Sequence, residues 1–520
     1  MIKSLGGLSM SSLLTGTMLL TAIALFSQVV GFLYRIILSR LIGAETMGLY
    51  QLVMPVYSLL MSVTAVGLTV AVSTLSARYY ALGDRGAVKD TLRRALGCFL
   101  LIAAPLGLLV ALCSDPISVY LIGDARTQLG IILLVPCVLL TGVENLHKHC
   151  FYGIGRVGPP AATETIEQLI RSAAVIILLL LLRPRTGEGK VGVIVTGMVL
   201  CEIFSAVTLV LLFRRHWSSD PPPAATHDVS RRKIVGIAVP VSMTSVLGTI
   251  LGSANAVLIP AQLVAGGMEN SAAMSSFGVL SGMTMPLLAM PTGFVGALCL
   301  TMVPDLARRT AGGDRKAAGR FLDRVLSATS LLMAPAMALL TVIGPAIGKA
   351  VYKEPAVGDY MGWLALGTLL SCYQSVLGGA LNGLSLQRRG ARNAIISDIV
   401  QLAFTIFTVS RWGLAGYVAG FVLSSLAGMA LNLISVLRAA ALDLHLYRWF
   451  VRPLLGSALM WGWCKLLSDI LSRAGCPTVW NCLLCTALGL ILYIAALQAQ
   501  GISLCRQLPK ITRTLRGASE

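Results

Sequence analysis

Apolar stretches of about twenty residues recur along the whole chain, and this feature limits its fold more than any other. A helix needs about twenty apolar residues to cross the hydrocarbon core of a bilayer. Of the 520 residues, 56% are hydrophobic and only 12% are charged, whereas soluble domains carry about 25% charged residues. The sequence therefore excludes a soluble enzyme and predicts an all-α polytopic membrane protein.

Clusters of charged and turn-forming residues separate fourteen apolar segments, each predicted to be one transmembrane helix. The predicted spans cover residues 13–38, 50–76, 95–113, 128–147, 165–182, 191–213, 234–259, 276–303, 325–347, 361–384, 395–411, 414–437, 453–471 and 479–499. The first run is longer than the apolar core of a signal peptide, so it is interpreted as a retained span.

The positive charge is unevenly distributed between the loops. The net charge is +19, from 41 Lys and Arg against 22 Asp and Glu. Basic residues are about three times as numerous in one alternate set of loops as in the other, and such a bias marks the cytoplasmic side. This predicts a multi-pass protein of the cytoplasmic membrane with both termini in the cytoplasm. It also explains the charge without a nucleic-acid partner.

A short motif occurs twice, six spans apart. Residues 77–87 and 307–317 share Ala, Arg, Ala, Gly, Asp and Arg at a constant offset of 230. Six is an even number, so the two halves are predicted to be a parallel repeat, as in many transporters, with a cleft between the lobes. The predicted divisions are an N-terminal lobe (1–213), a cytoplasmic linker (214–233), a C-terminal lobe (234–437), and spans 13–14 with a cytoplasmic tail (438–520).

The first span carries a positive charge at membrane depth. Arg35 lies near its outer end, and Gln28 shares its helical face. A charge at membrane depth costs at least ~2.5–3.5 kcal/mol. Two explanations fit: Arg35 extends to the outer headgroups, or it lines a cavity and attracts an anionic substrate, because arginine suits bidentate phosphate contacts.

The seventh span carries small and polar residues on one face: Ser245, Gly248, Gly252 and Asn255. Close helix packing explains small residues. The alternative is that this face lines the cleft, with Asn255 opposite Arg35 and Ser245 as a further polar contact. Ser245 and Asn255 are therefore candidate substrate-binding residues together with Gln28 and Arg35.

Further ionisable residues are candidates for ion or proton binding, or for gating. Glu144 ends the fourth span, and Glu167 and Arg171 in the fifth have the i, i+4 spacing of a helical ion pair. Glu202 and Asp398 are single acids within spans. The alternative is a structural role, in which the Glu167–Arg171 pair ties the inner ends of helices together.

The eighth span carries Pro286 and Pro291 between Gly282 and Gly293, a pattern that predicts a bending helix and hence a hinge. Nucleophile motifs and phosphate-binding loops are absent from the sequence. We therefore expect a membrane transporter rather than an enzyme, without a cofactor or a metal site. A membrane glycosyltransferase is a third hypothesis, but the outer loops offer only scattered acids.

Several motifs together resemble the stage V sporulation protein B-like polysaccharide-biosynthesis flippases, in the multidrug/oligosaccharidyl-lipid/polysaccharide (MOP) exporter superfamily. The resemblance rests on Gly31-Phe32, Arg35, Arg40, Ile42-Gly43, Gly48-Leu49-Tyr50, Phe151-Tyr152-Gly153, Glu164, Glu167-Gln168, Arg171, Phe277-Gly278, Gly282, Pro286-Leu287 and Pro291.

The resemblance implies a V-shaped, MATE-like fold of two six-helix lobes and a flippase for a lipid-linked oligosaccharide, either a peptidoglycan precursor or a polysaccharide. In related MurJ-type lipid II flippases, arginines of the first span are thought to engage the pyrophosphate. This pattern carries over to Arg35, and Gln28 stands where an arginine is common. The implied partners are the lipid-linked glycan and membrane lipids, and the protein is expected to be a monomer. The alternative is a cation-coupled multidrug exporter, although the first span lacks the acid that such exporters use.

Overall fold

The structure is a computed structural model that describes residues 10–218, 227, 229–311, 315–440, 445 and 447–501. All regular elements in these ranges are helical, which confirms the predicted all-α class. Parts of the predicted linker (219–226 and 228), of the second repeat motif (312–314) and of the cytoplasmic tail (502–520) lie outside the described residues, as do residues 1–9.

Thirteen helical segments among the described residues are long and apolar enough to cross a membrane. The first of them, Phe26–Ala81, has 56 residues and is about 84 Å long at 1.5 Å per residue, enough for two crossings. Gly43 interrupts it with φ 80° and ψ 170°, a backbone conformation that is essentially confined to glycine. The helices thus accommodate the fourteen predicted spans of a polytopic membrane protein.

Residue contacts divide the chain into two compact units. The N-terminal unit consists of Ala22–Val264 and Met268–Gly278, and most of the C-terminal unit is Val279–Glu520. The lobe boundaries deduced from the repeated motif stay a prediction.

The helices of the N-terminal half follow one another with short connections. They are α1 (Met10–Met61), α2 (Gly67–Ala81), α3 (Arg85–Leu112), α4 (Ser114–Pro116), α5 (Gln128–Gly153), α6 (Gly158–Leu182), α7 (Gly187–Ser218), α8 (Arg231–Ala265) and α9 (Asn270–Phe277). Buried Tyr34, Leu38 and Ile42 of α1 pack against Val175 and other apolar residues of α6 and α7, and this cluster fixes the position of α1.

The remaining helices are α10 (Met285–Ala289), α11 (Gly293–Ala311), α12 (Arg315–Ile347), α13 (Met361–Gly383), α14 (Gln387–Trp412), α15 (Leu414–Ala439), α16 (Arg452–Arg473) and α17 (Thr478–Ala499). Met460 of α16 and Tyr493 of α17 are buried against Leu331 and Leu339 of α12. The last two helices are therefore attached to the C-terminal unit through α12.

Helix boundaries repeat along the chain with the offset of 230 that the sequence motif predicts. The helices α2, α5 and α6 end at Ala81, Gly153 and Leu182, and α11, α13 and α14 end 230 residues later. The helices α3 and α12 begin at Arg85 and Arg315, which differ by the same number. The two halves thus repeat the same order of elements.

The turns before α5 and α13 also repeat. Gly123 and Lys353 both have a positive φ, 85° and 57°. Each is followed by an acid whose side chain accepts a backbone N–H two residues later: Asp124 from Arg126 at 3.0 Å and Glu354 from Ala356 at 3.5 Å. Repetition of this local detail supports a duplicated six-helix unit.

The helix α1 crosses α9 in the N-terminal unit through two glycines. A Cβ atom added to Gly48 would overlap the carbonyl oxygen of Met274, and one added to Gly278 would overlap the carbonyl oxygen of Ala44. The two contacts are equivalent in the repeat, because Gly278 follows Gly48 by 230 residues and Met274 follows Ala44 by the same number. The crossing is therefore a direct backbone contact that only glycine permits.

The predicted bending helix is interrupted at the expected positions. A π-helical segment, Gly278–Thr284, precedes the short α10, which contains Pro286. Pro291 lies in the break between α10 and α11, and α11 begins at Gly293. The interruption is observed, and the role of the two prolines as a hinge stays a prediction.

Candidate functional site

Five ionisable side chains of three neighbouring helices meet in the described part of the N-terminal unit. Glu144 and Lys148 lie on α5, Glu167 and Arg171 on α6, and Glu202 on α7. We call these five residues the charged network. The i, i+4 spacing places the first two, and likewise the second two, on one face of their helix.

The two cations of the charged network each contact acids of two helices. Lys148 Nζ is 2.7 Å from Glu144 Oε1 and 3.8 Å from Glu167 Oε2. Arg171 Nη2 contacts Glu167 Oε1 and lies 3.3 Å from Glu202 Oε1. Ser205 on α7 donates a hydrogen bond of 3.0 Å to Glu167 Oε2. The ion pairs thus join α5, α6 and α7.

The acids of the charged network are buried. Glu144, Glu167 and Glu202 are 2%, 6% and 2% exposed, whereas the side chain of Arg171 is 28% exposed. A buried charge is tolerated when it is paired, and removal of one partner then becomes costly. The arrangement is therefore held together by its ion pairs and is sensitive to any change in charge.

The sequence predicted part of this site. The expected Glu167–Arg171 pair is present, and the structure adds Glu144 and Glu202, which the sequence had given as separate candidates. Lys148 was missed as a candidate, although its i, i+4 spacing from Glu144 was a usable signal. Asp398 is half-buried on α14, in the C-terminal unit, and is not a member of the network.

Uncharged residues occupy the equivalent positions of α13 and α14. Gln374, Gly378, Ser397 and Gln401 follow Glu144, Lys148, Glu167 and Arg171 by 230 residues. The connection between α14 and α15 is a single residue, Gly413, whereas four residues join α6 to α7. The register on α15 therefore differs from that on α7, and the equivalence is drawn for these two helices alone.

Amide and hydroxyl groups join α14 to α15, and we call them the amide network. Ser424 Oγ donates to Gln401 Oε1 at 3.0 Å, and Ser397 Oγ donates to the Ser424 carbonyl at 2.8 Å. Asn393 Nδ2 donates to Asn432 Oδ1 at 3.0 Å. The face of α14 that is equivalent to the charged face of α6 thus packs on α15 through hydrogen bonds between neutral groups.

One group of side chains among the described residues has a spacing that would suit a metal ion: Glu167, Cys201 and Glu202. Their donor atoms lie within 4.8 Å of one another. Arg171 contacts both carboxylates and so supplies the positive charge that a metal would bring. Cys201 donates to the carbonyl oxygen of Glu167 at 3.6 Å. These contacts are typical of an ion-paired network.

Arg35 follows Tyr34, which packs on two of the helices that carry the charged network. Arg35 itself is exposed, whereas Tyr34 is buried in the apolar cluster of α1, α6 and α7. The charges of Arg35 and Arg171 both act on the phenol groups of Tyr34 and Tyr50. One turn earlier, Gly31 faces Gln168 of α6, whose Nε2 would lie 3.1 Å from an added Cβ, and Gln28 is half-buried.

The polar face of α8 is partly engaged within the N-terminal unit. Ser245 Oγ donates to Ser62 Oγ at 3.3 Å, and Ser62 Oγ lies 2.7 Å from the Thr249 hydroxyl. Half-buried Asn255 has a long contact of 3.4 Å to the Leu251 carbonyl. Added Cβ atoms at Gly248 and Gly252 would meet no described atom within 4 Å. At these glycines the face borders open space, and its contact with Arg35 stays a prediction.

A family model described as "Polysaccharide biosynthesis protein" matches residues 13–309, more than half of the chain. The chain belongs to this family. The family assignment confirms the resemblance drawn from the motifs of spans 1, 5 and 8.

Two curated relatives of this family member come from Bacillus subtilis (strain 168). Stage V sporulation protein B is 23% identical over 438 residues, and the match covers 83% of each chain. Lipid II flippase MurJ is 20% identical over 470 residues, again with 83% of each chain covered.

Solved structures confirm the predicted fold of the polysaccharide biosynthesis family member. A structure of "Lipid II flippase MurJ, inward closed conformation" matches 92% of this chain and 98% of its own, with a TM-score of 0.71 at 15% identity. An inward-facing multidrug resistance MATE transporter of the MOP superfamily matches 79% of this chain and 95% of its own, with a TM-score of 0.59 at 14% identity. The fold is thus that of MurJ and MATE transporters.

Proposed function

We propose that the protein is a flippase that moves a lipid-linked oligosaccharide across the cytoplasmic membrane by alternating access. The observation that carries this proposal is the match over nearly the full length to proteins named lipid II flippase MurJ, in sequence and in fold. Family membership points to a polysaccharide substrate, and the relative named lipid II flippase MurJ points to lipid II as the alternative. The relative named stage V sporulation protein B adds sporulation as a setting for the activity.

Arg35 is the residue we assign to the anionic part of the substrate. Its side chain is exposed, and a guanidinium group forms bidentate hydrogen bonds with phosphate oxygens. Gln28, Ser245 and Asn255 are proposed as the uncharged polar lining of the same route. The open space beside Gly248 and Gly252 supports a substrate-facing role for that side of α8.

The proposed arrangement places both termini in the cytoplasm, as the basic loops indicate. The lipid tail of the substrate stays in the bilayer while its headgroup crosses, and Pro286 and Pro291 allow the bending that the cycle needs. We propose that the protein acts as a monomer without a cofactor or nucleic-acid partner. An ion gradient or the membrane potential would drive the cycle.

Replacement of Arg35 by alanine is expected to reduce flipping by about tenfold or more. A hydrogen bond to a charged group contributes about 1.5–3 kcal/mol, and 1.4 kcal/mol corresponds to a factor of ten. The measurement is the rate at which labelled lipid-linked glycans change leaflet in liposomes that contain the full chain. Arg411→Ala, at an exposed arginine of α14, is the matched control and should flip at the unaltered rate.

Equal rates for Arg35→Ala and the unaltered protein would remove Arg35 from the mechanism. A lack of flipping for every lipid-linked glycan tested would contradict the proposed function itself. Broad efflux of cationic drugs on overexpression would instead favour the alternative of a multidrug exporter, whose fold the chain shares.

A further inference from the structure

The charges of the charged network do not balance. Its described members comprise three carboxylates, Glu144, Glu167 and Glu202, and two cations, Lys148 and Arg171. If all five were ionised, the network would carry one net negative charge in a buried part of a membrane helix bundle. An uncompensated buried charge is expensive, and a titratable group in that position takes up a proton instead.

The acids also lie close together. Donor atoms of Glu167 and Glu202 are within 4.8 Å of each other, and Lys148 Nζ lies 2.7 Å from Glu144 Oε1 and 3.8 Å from Glu167 Oε2. Two adjacent carboxylates repel when both are ionised, so one of them retains a proton. A proton on one of the three acids would remove this repulsion.

Four buried polar atoms at the network have no hydrogen-bond partner among the described residues: Glu144 Oε1, Arg171 Nε, Glu202 Oε2 and the Tyr34 hydroxyl. Glu144 Oε1 keeps its ion pair with Lys148. Glu202 is 2% exposed and Tyr34 is 8% exposed, and Tyr34 interacts electrostatically with Arg171. A buried acceptor without a donor is the feature that binding of a proton would satisfy.

The amide network shows that packing of these helices does not require charge. Ser397 and Gln401 occupy the positions equivalent to Glu167 and Arg171, and they are buried in neutral hydrogen bonds. Replacement of a buried ion pair by neutral groups is often neutral or stabilising. The charges on α5, α6 and α7 are thus retained at a cost that helix packing alone does not explain.

Other titratable groups face the network from each packed helix. They are Tyr34, Arg35, Tyr50 and Tyr57 on α1, Cys137, His149 and Tyr152 on α5, Glu164 on α6 and Cys201 on α7. Phenols and thiols are ordinarily neutral near pH 7, and an ordinary imidazole is mostly neutral there, so Arg35 and Glu164 are the charged groups in this set. Side-chain exposures of 28% at Arg171 and 14% at Lys148 give the network contact with its surroundings.

We propose that the charged network is a proton-binding site, which holds one exchangeable proton on its three acids and uses its uptake and release to drive the transport cycle. The proton comes from water and adds to one carboxylate, and release restores the anion. The use in transport rests on the proposed flippase activity, whereas proton binding itself does not.

Infrared titration of the purified full chain tests the binding step. The unaltered protein is expected to show the carbonyl band of a buried protonated carboxylic acid, and this band should fade as the pH is raised. Glu202→Gln and Glu144→Gln each leave two acids with two cations, so the band should disappear at neutral pH. Lys148→Gln removes a cation and should strengthen the band, an effect that a purely structural role would not produce.

Glu188→Gln, at an exposed acid near the start of α7, is the matched control and should leave the band unchanged. Size-exclusion chromatography verifies that each variant is folded. The proposal is overturned if the unaltered protein lacks a titrating band, or if the band persists in both folded glutamine variants.

Coupling is tested separately, by flipping in liposomes with and without a pH gradient. The gradient should increase the rate of flipping by the unaltered protein and leave the rate of folded Glu202→Gln unchanged. Equal acceleration of both would overturn coupling through this site. A titrating band in a protein that flips no glycan would contradict the proposed function and leave proton binding established.

Discussion

Replacement of Arg171 by glutamine is expected to lower the free energy of unfolding by about 3–5 kcal/mol, the cost of breaking a buried ion pair by removal of one partner. Arg171 contacts Glu167 and lies 3.3 Å from Glu202, so the change leaves two buried acids without their main cation. Lys148, 3.8 Å from Glu167, compensates only in part. Thermal unfolding of the purified protein measures the loss, which should increase as the pH rises because protonation at low pH neutralises the acids.

The double variant Arg171→Gln with Glu202→Gln provides the control. It removes one positive and one negative charge together, and such neutral replacements cost far less than a broken pair. Most of the stability should therefore return. Gln401 shows that glutamine fits the equivalent position of α14. A single variant as stable as the unaltered protein at all pH values would show that the ion pairs do not support the helix packing.

Alanine at Gly48 is expected to destabilise the protein by about 3 kcal/mol, the upper end of the usual cost of overpacking. The added Cβ would overlap the carbonyl oxygen of Met274. A backbone carbonyl cannot rotate aside as a flexible side chain can, so α1 and α9 must separate. Gly278→Ala should have a similar effect, because it would overlap the carbonyl of Ala44 at the equivalent position. Thermal unfolding in detergent compares the variants.

Gly97→Ala is the matched control for this crossing. Gly97 lies within α3, and an added Cβ there would meet no described atom within 4 Å. Alanine is favoured over glycine in a helix by up to about 1 kcal/mol, so this variant should be at least as stable as the unaltered protein. If Gly48→Ala behaves in the same way, the close backbone contact at α1 is not a constraint.

Local patterns in the sequence were sufficient to predict the spans and the repeat. Membrane helices are specified by the length and hydropathy of a segment, so their order could be deduced without knowledge of tertiary contacts. The repeat followed from one motif, and its offset of 230 recurs in helix ends such as Gly153 and Gly383. The Glu167–Arg171 pair was predictable for the same reason, since its spacing lies within one helix.

Contacts between distant helices were not predictable from the sequence. Glu202 is 35 positions after Glu167, and no local pattern links the two acids across the loop between α6 and α7. The crossing of Gly48 with Met274 depends on the path of the chain between α1 and α9. Helical periodicity identifies a face, but the partner of that face is determined by packing of the whole bundle.

The difference in charge between the two similar halves has a consequence for folding fidelity. Duplicated helices with matching lengths could pair with the wrong copy while the chain inserts. If α6 paired with α15 instead of α7, Arg171 would take the place of Gln401 and meet the Ser424 hydroxyl instead of Glu202. Glu202 on α7 would then be buried without Arg171, so the charges penalise the exchange of helices between copies. The ion pairs that hold α5, α6 and α7 together thereby favour correct pairing of these helices within the first copy of the repeat.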